Sequence, residues 1–305
     1  MKKLREEFAD TVLDLGPKDS RMVVLVGDIS HGILKPYAES CPGRYYNIGI
    51  CEPAMVNMAA GLSKVGLIPI IHTIAPFLIE RSYEQIKLDF GYQELGVNLI
   101  SVGGSFDYAQ LGCSHHCYSD VSLISHFNRG VVVMPGSPIE FNKLFTDIYA
   151  NQKINYFRLS EQSHGVVFSA KDINFGKGIK IRDGQDLTIA VVGSQLKNAI
   201  AAAELLAVDG VSVEILYFHT LKPFDKDILR ASLVKTRRLI SLEELSAHDG
   251  LFNLCLRSAI GIDGLRTEQL AVQDFIHGYG SYENLCDKAG LNAQGVCAAA
   301  KRIIN

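Results

Sequence analysis

Short apolar segments alternate with amphipathic segments along almost the whole chain, and this alternation restricts the possible folds more than any other feature. Met22–Asp28, Ile68–Thr73 and Val97–Gly104 have the pattern of buried strands, and segments with helical spacing of apolar residues separate them. Strands that alternate with helices form parallel sheets covered by helices. The pattern therefore predicts an α/β fold with largely parallel sheets.

The 305 residues are enough for two domains, each with its own core. We expect a first domain over residues 1–165, a linker over 166–185 and a second domain over 186–305. The linker is expected there because the chain becomes glycine-rich, polar and weakly periodic. Within the first domain, Pro76–Tyr92 is expected to form a helix.

The composition argues against several classes of partner. A formal net charge of −3 gives no electrostatic footprint for nucleic acid or for an anionic membrane. No apolar run reaches membrane-spanning length, and the N-terminal segment has acidic residues and helical periodicity instead of the features of a signal peptide. We therefore expect a cytoplasmic protein that binds neither nucleic acid nor a membrane.

The seven cysteines are odd in number and irregular in spacing, which argues against a disulfide framework. Cys113 and Cys117 bracket His115 and His116, so a metal-binding module is one alternative. Zinc sites usually draw on two separated ligand pairs, and no clear second pair occurs in the sequence. We therefore predict no metal ligands in this chain.

Glu52 is the residue that points most strongly to chemistry. It follows an apolar segment ending at Cys51, and Pro53 beside it suits the start of a helix. A carboxylate at such a junction, among small and apolar residues, is poorly solvated and needs a specific partner. The alternative is an ordinary helix-start acid stabilised by the helix dipole.

Five motifs occur along the chain in a specific order: VGDIS, GICEPAMVNMAAGLS, FLIERSYEQIK, GCSHH and HTLKPFD. In this order and spacing the chain resembles the C-terminal half of transketolase over nearly its whole length. The resemblance implies two doubly wound α/β domains, a thiamine-diphosphate pyrimidine-binding domain followed by a transketolase C-terminal domain.

The resemblance also implies thiamine diphosphate as cofactor. In such enzymes a glutamate at the position of Glu52 hydrogen-bonds the aminopyrimidine ring and favours the tautomer that removes the thiazolium proton. Phe77 and Tyr83 match positions around that ring, and His115 matches a histidine near the reacting carbon. Arg81 is a further cofactor-site candidate, which we expect to hold an anion or to pair near Glu52. Without the resemblance, aromatic residues at helical spacing would be assigned to the core and Arg81 to a surface ion pair.

Four further residues are weaker substrate-site candidates. His116 adjoins His115, Asp28 ends the first strand, His72 lies within a strand and Arg158 lies at the end of one. For Asp28 a structural turn is the alternative, and for His72 a hydrogen-bonded core position. Arg158 is the candidate for a substrate phosphate.

The Gly-Asp-Gly motif and downstream asparagine that hold the diphosphate and metal in transketolases do not occur in this sequence. The resemblance therefore implies a separate N-terminal alpha subunit that supplies the diphosphate site and Mg²⁺ or Ca²⁺. We expect an α2β2 assembly that is active only when both subunits are present.

The positions that grip the substrate in transketolases depart from the family pattern here. Gly32, Gly103 and Glu161 replace phosphate-binding residues, and Leu111 replaces an acid that recognises a donor hydroxyl. A glutamate in place of an arginine is expected to repel a dianion. The predicted function is transfer of a two-carbon ketol unit to an aldehyde or ketone acceptor, such as a modified or nucleotide-linked sugar. The alternatives are an acyloin-forming or decarboxylating enzyme that uses pyruvate, and a non-catalytic paralogue.

Overall fold

The computed structural model describes residues 2–304 and contains two compact units. Unit 1 comprises the residues up to Gly104 together with Asp120–Glu161. Unit 2 comprises Ser105–Ser119 together with the residues from Gln162 onward. The loop Ser105–Ser119 therefore packs with unit 2, although the predicted first domain of residues 1–165 includes it. No helix within residues 2–304 is both long enough and apolar enough to cross a membrane.

The strands of unit 1 are β1 (Met22–Val26), β2 (Tyr45–Asn47), β3 (Ile68–Ile74), β4 (Val97–Val102), β5 (Gly130–Val133) and β6 (Ile154–Arg158). Its helices are α1 (Leu4–Leu15), α2 (His31–Ser40), α3 (Glu52–Lys64), α4 (Tyr83–Gln85), α5 (Asp120–Ser125) and α6 (Pro138–Ile148). The strands lie in the order β5-β6-β4-β3-β1-β2, and all of these pairs are parallel.

This strand order creates a switch point at the carboxyl ends of β1 and β3. After β1 the chain passes to β2 on one side, and after β3 it passes to β4 on the other side. Open parallel sheets bind their ligands in the crevice at such a point. All residues of β1 are buried, so this crevice lies above the centre of the core.

The strands of unit 2 are β7 (Gly178–Arg182), β8 (Leu187–Val192), β9 (Val213–Phe218), β10 (Thr220–Lys222), β11 (Arg238–Ser246) and β12 (Arg266–Val272). Its helices are α7 (Leu196–Val208), α8 (Lys226–Thr236), α9 (Leu251–Ser258), α10 (Tyr282–Lys288) and α11 (Ala293–Ile304). The main sheet has the order β12-β11-β8-β9-β7, in which only the β7–β9 pair is antiparallel. The predicted fold class, two mainly parallel α/β units, is confirmed.

Two local expectations differ from the structure. The segment 166–185, predicted as a linker, contains the edge strand β7, where Ile179 and Ile181 alternate with basic residues. The segment Pro76–Tyr92, predicted as a helix, consists of the π-helical turn Pro76–Glu80, the short α4 and the π-helical segment Ile86–Tyr92. Strand β7 was not predicted because glycines lie on both sides of it. The irregular course of Pro76–Tyr92 depends on side-chain contacts within unit 1.

Candidate functional site

Glu52 is the first residue of α3 and is almost fully buried, with 1% of its surface exposed. Its Oε2 atom accepts a hydrogen bond from Arg81 Nη1 at 2.9 Å. Within residues 2–304 its Oε1 atom has no hydrogen-bond partner. Oε1 is not among the enclosed polar atoms that lack a partner, so it borders accessible space and is available to accept a hydrogen bond from a ligand.

The irregular helix Pro76–Tyr92 presents Arg81 to Glu52. The Ser82 hydroxyl donates to the carbonyl of Phe77 at 3.1 Å, at the junction between the first π-helical turn and α4. The Arg81 guanidinium then lies over the Phe77 ring, 4.2 Å from its centroid. π-helical turns of this kind recur at functional sites because they redirect side chains. Phe77, Arg81 and Glu52 thus form one connected group.

Tyr83 lies on the same helical segment but packs elsewhere. Its ring is tilted against that of Phe127, with the centroids 5.6 Å apart. Gly91 permits this arrangement, since a Cβ atom there would lie 3.0 Å from the Phe127 ring. Tyr83 remains half-buried. The predicted contact of Tyr83 with the cofactor therefore stays a prediction.

Asp28 lies at the carboxyl end of β1, in the left-handed backbone region with φ of 55°. Its carboxylate is 2.9 Å from His31 Nε2 and 3.3 Å from Asn47 Nδ2. The hydrogen bond with His31, supported by Asn47, lowers the pKa of Asp28. About half of the Asp28 side chain is exposed. Asp28 thus forms an exposed polar cluster at the edge of the crevice.

His72 is buried within β3, with both ring nitrogens bonded inside unit 1. Nδ1 lies 3.0 Å from the Ile100 carbonyl, so it carries the proton, and Nε2 accepts from the Ser30 hydroxyl at 2.9 Å. The Phe8 ring covers the imidazole at 4.7 Å. Burial lowers the pKa of His72 to about 4, so the ring is neutral at physiological pH. These contacts favour the structural alternative for His72.

Arg158 ends β6 and is buried beside a carboxylate. Its Nε atom donates to Asp120 Oδ2 at 2.7 Å, and the Tyr156 hydroxyl donates to the same oxygen at 2.5 Å. The Ser101 hydroxyl extends this network to β4. Gly104 is required beside it, since a Cβ atom there would lie 2.5 Å from Arg158 Cζ. Arg158 thus has a charge partner in unit 1, and its contact with a substrate phosphate stays a prediction.

His115 and His116 lie on the loop Ser105–Ser119 of unit 2. His115 is half-buried, with Nδ1 3.0 Å from the Ser114 hydroxyl. His116 is buried, and its Nδ1 lies 2.9 Å from the hydroxyl of Tyr118. Burial, with a smaller contribution from the adjacent His115, lowers the pKa of His116. His116 Nε2 is buried without a hydrogen-bond partner among the described residues.

The two cysteines that bracket His115 and His116 differ in their surroundings. Cys113 is exposed, whereas Cys117 is buried and its backbone pairs with Ser105. No group of three or more histidine, cysteine, aspartate or glutamate side chains within residues 2–304 is arranged to hold a metal ion.

The substrate-gripping positions that depart from the family pattern have distinct surroundings. A Cβ atom added to Gly32 would meet nothing within 4 Å, so this position borders open space. Leu111 is 52% exposed. Glu161 forms ion pairs with Lys3 at 3.0 Å and Arg5 at 3.6 Å. Two cations therefore offset the negative charge expected at Glu161.

Sequence reasoning missed several residues that shape these sites. Asp120, Tyr118 and Ser82 were not among the predicted residues, although each fixes the position of a candidate side chain. Asp120 lies 38 residues from Arg158 in sequence, and no local pattern signals such a contact. For Tyr118 the proximity to His116 was the available signal.

The residues around Glu52 suit the aminopyrimidine part of thiamine diphosphate. Glu52 Oε1 lacks a partner within residues 2–304 and can bond a ring nitrogen. The Phe77 ring contacts Arg81, the hydrogen-bond partner of Glu52, and Ile50 adds exposed apolar surface two residues before Glu52. A flat heteroaromatic ring needs this combination of a carboxylate and apolar walls.

Comparisons with known proteins identify the family of this chain. Residues 1–165 match the family described as transketolase, pyrimidine binding domain, and residues 176–296 match transketolase, C-terminal domain. The chain is 29% identical over 302 residues to the 6-deoxy-6-sulfo-D-fructose transketolase subunit SqwH of Clostridium sp. (strain MSTE9), covering 98% of this chain and 94% of that protein. It is 27% identical over 303 residues to one of the subunits of the apulose-4-phosphate transketolase of Phocaeicola vulgatus, covering 98% and 97% respectively.

Among solved structures, one described as a split gene transketolase, inactive beta4 tetramer, superimposes with a TM-score of 0.88. It is 27% identical in sequence, and the match covers 99% of this chain and 98% of that one. The predicted resemblance to the C-terminal half of transketolase is therefore confirmed. The chain belongs to the transketolase family and contains its pyrimidine-binding and C-terminal domains.

Proposed function

We propose that this chain is the C-terminal (beta) subunit of a split, thiamine-diphosphate-dependent transketolase-like enzyme, which transfers a two-carbon ketol unit to an aldehyde or ketone acceptor. The buried Glu52, with one carboxylate oxygen unpartnered among the described residues, is the observation that carries this proposal. The two relatives of similar length are named for sulfofructose and apulose 4-phosphate, which supports a modified sugar as the substrate class. The expected cytoplasmic location is part of the same proposal.

In the proposed function each candidate residue has a task of its own. When bound, thiamine diphosphate supplies the electron sink for cleavage of a carbon–carbon bond. Glu52 would bond the pyrimidine nitrogen through Oε1, while Arg81 fixes the carboxylate through Oε2. Phe77 and Tyr83 would contact the ring. His115 would polarise the donor carbonyl or move a proton, and His116 would contact the substrate.

The proposal includes a partner. A separately encoded alpha subunit would supply the site for the diphosphate and for Mg²⁺ or Ca²⁺, and the two chains would assemble as α2β2. The description of the similar solved structure as an inactive beta4 tetramer supports the idea that a beta chain by itself lacks activity. A neighbouring reading frame with the Gly-Asp-Gly motif would identify the partner.

The test is ketol transfer by the chain mixed with that alpha subunit and thiamine diphosphate. Glu52→Gln is expected to lower kcat by about 100-fold or more, the range typical of a lost acid–base group. Glu84→Gln, which changes a glutamate on the neighbouring α4, serves as the matched control and should retain activity. Full activity of Glu52→Gln would refute the assigned mechanism.

An acyloin-forming or decarboxylating enzyme that uses pyruvate is the second candidate. The open space at Gly32 and the exposed Leu111 favour it, because the first position lacks a side chain that binds a phosphate and the second lacks the acid that recognises a donor hydroxyl in transketolases. Pyruvate and ketose phosphates compared as donors in the same mixture separate the two. A non-catalytic paralogue would fail to bind thiamine diphosphate even with the alpha subunit present.

A further inference from the structure

Unit 2 has a switch-point crevice of its own, at the carboxyl ends of β8 and β11. Open α/β sheets bind ligands at this position. Here the chain fills it with its own side chains. Glu244 Oε1 accepts hydrogen bonds from Ser194 Oγ at 2.5 Å, from Gln195 Nε2 at 2.6 Å and from the Tyr282 hydroxyl. None of these four side chains is more than 5% exposed, so the cluster leaves no space for a small molecule.

Tyr282 is fixed in this cluster from its backbone as well. It is the first residue of α10, and Ser281 caps that helix in a reciprocal arrangement with Asn284. The Ser281 hydroxyl accepts from the Asn284 backbone at 3.2 Å. With its hydroxyl bonded to Glu244 and its backbone capped, the Tyr282 ring has a defined position.

The loop Ser105–Ser119 packs onto that ring. The Phe106 ring is fully buried, and its centroid lies 5.3 Å from that of Tyr282 at an interplanar angle of 38°. Phe106 also contacts His116 edge to face, with the centroids 6.5 Å apart. The carbonyl of Tyr118 accepts a hydrogen bond from the backbone of Ser246, at the carboxyl end of β11, at 3.1 Å. A continuous chain of contacts thus runs from Glu244 to His116.

Two further contacts fix the loop, one at its tip, Gly112, and one at its neck, where Ser105 and Cys117 pair. Gly112, with φ of 75°, approaches Tyr279 so closely that a Cβ atom would lie 2.6 Å from the ring. Ser105 and Cys117 exchange two backbone hydrogen bonds of 2.8 Å that close the neck. The loop carrying both histidines is therefore held at several points by unit 2.

We propose that unit 2 uses its crevice as a mount for the Ser105–Ser119 loop, and that Tyr282 and Glu244 are positioning residues for His115 and His116. The catalytic part of this inference rests on the proposed function, whereas the mount itself does not. A catalytic group on a loop must be held near its productive geometry, because displacements of about 1 Å can cost 100-fold in rate. The mount supplies that constraint and gives the second domain a task in the reaction.

Hydrogen exchange in the isolated chain tests the mount without cofactor or partner. The amides of Ser105 and Cys117 close the loop neck, so their exchange reports on the loop. Tyr282→Leu removes the ring contact and is expected to speed their exchange by roughly threefold to tenfold, the factor produced by losing a buried aromatic pair. Tyr282→Phe keeps the ring and should change exchange less. Tyr92→Leu, at an exposed tyrosine of unit 1, is the control.

Amides of β9 show whether unit 2 as a whole remains folded in each variant. If Tyr282→Leu also speeds exchange in β9, Phe106→Leu removes the same contact from the loop side. If the exchange rates of the Ser105 and Cys117 amides are unchanged in both leucine variants, unit 2 does not hold the loop through this ring contact, and the proposal is refuted.

Kinetics of the enzyme reconstituted with its alpha subunit test the positioning role. Tyr282→Leu should lower kcat with little change in KM, and Tyr282→Phe, which keeps the ring but loses the hydrogen bond to Glu244, should lower kcat less. A loosened loop with unchanged kcat overturns the positioning role. A wild-type mixture without ketol transfer refutes the proposed function, and the exchange experiment then still decides on the mount.

Discussion

Replacing Arg81 by methionine is expected to destabilise unit 1, because it removes the hydrogen-bond partner of the buried Glu52 carboxylate. Glu52 is 1% exposed and Arg81 is 45% exposed. Breaking a fully buried ion pair costs about 3 to 5 kcal/mol, whereas an exposed pair contributes about 0 to 1 kcal/mol. With one partner buried and the other half-exposed, we expect a loss of about 1 to 2 kcal/mol. Methionine retains an apolar stem that can cover Phe77.

A double-mutant cycle isolates this interaction from the other effects of each substitution. The variants are Arg81→Met, Glu52→Gln and the double variant, and the assay is urea unfolding of the isolated chain near neutral pH. The coupling energy between the two sites is expected to be about 1 to 2 kcal/mol. Because the two units can unfold separately, only the transition that reports on unit 1 enters the cycle.

The exposed pair Asp14 and Lys18 provides the matched comparison. Its charged atoms are 3.7 Å apart and its side chains are 80% and 69% exposed. A cycle through Asp14→Asn and Lys18→Met should give less than about 0.5 kcal/mol. If the coupling between Glu52 and Arg81 is no larger than that of this pair, Arg81 does not hold Glu52 and its assigned role is wrong.

Two further predictions concern stability. The pKa of His72 is lowered from 6.5 to about 4, so the unfolded chain binds a proton that the folded chain does not. The contribution of His72 to the free energy of unfolding is therefore complete above pH 6.5 and falls by about 3 kcal/mol as the pH drops toward 4. Urea unfolding across this range should show a smaller loss of stability in His72→Gln than in the wild type. The control His126→Gln, at an exposed histidine, should lose as much stability as the wild type. Gly184→Ala places a Cβ atom 2.1 Å from the Val213 backbone, and it should destabilise unit 2 by about 2 kcal/mol or more. Gly61→Ala, with nothing within 4 Å, should not lower the melting temperature, and equal effects of the two would contradict the steric argument.

The order of strands and helices was predictable because each buried strand carries its own apolar pattern. β1, β3 and β4 are buried along nearly their whole length, so continuous apolar runs mark them. β7 escaped prediction because an edge strand of five residues with a half-buried pattern lacks such a run. Local pattern therefore identifies central strands better than edges.

The candidate site was predictable in its residues but not in its local geometry. Pairing of Arg81 near Glu52 was one interpretation of the sequence, but the π-helical turn between Phe77 and Ser82, on which this contact over 29 positions depends, was not predicted. A π-helical turn follows from the balance of side-chain and backbone hydrogen bonds within the folded unit. Helical periodicity alone predicts regular α-helix at such a place.

The sequence did not indicate which unit the loop that carries His115 packs with, although the predicted first domain has the same bounds as the pyrimidine binding domain match. Chain continuity assigns Ser105–Ser119 to the first domain, yet its residues pack with unit 2. The packing contacts involve Tyr279 and Tyr282, which lie far along the chain and belong to no recognised motif. Only the fold brings such residues together.

The surroundings of Glu161 change the argument about the acceptor. A lone glutamate would repel a phosphate, but Lys3 and Arg5 pair with it, so these three side chains together carry one positive charge. The expected repulsion of a dianion therefore cannot rest on Glu161 alone. Gly32 offers no side chain and borders open space, so this position supplies neither a charge nor a hydrogen-bond donor to an acceptor. A position of this kind favours an acceptor selected by size and shape, and this is compatible with a modified sugar whether or not it carries a phosphate.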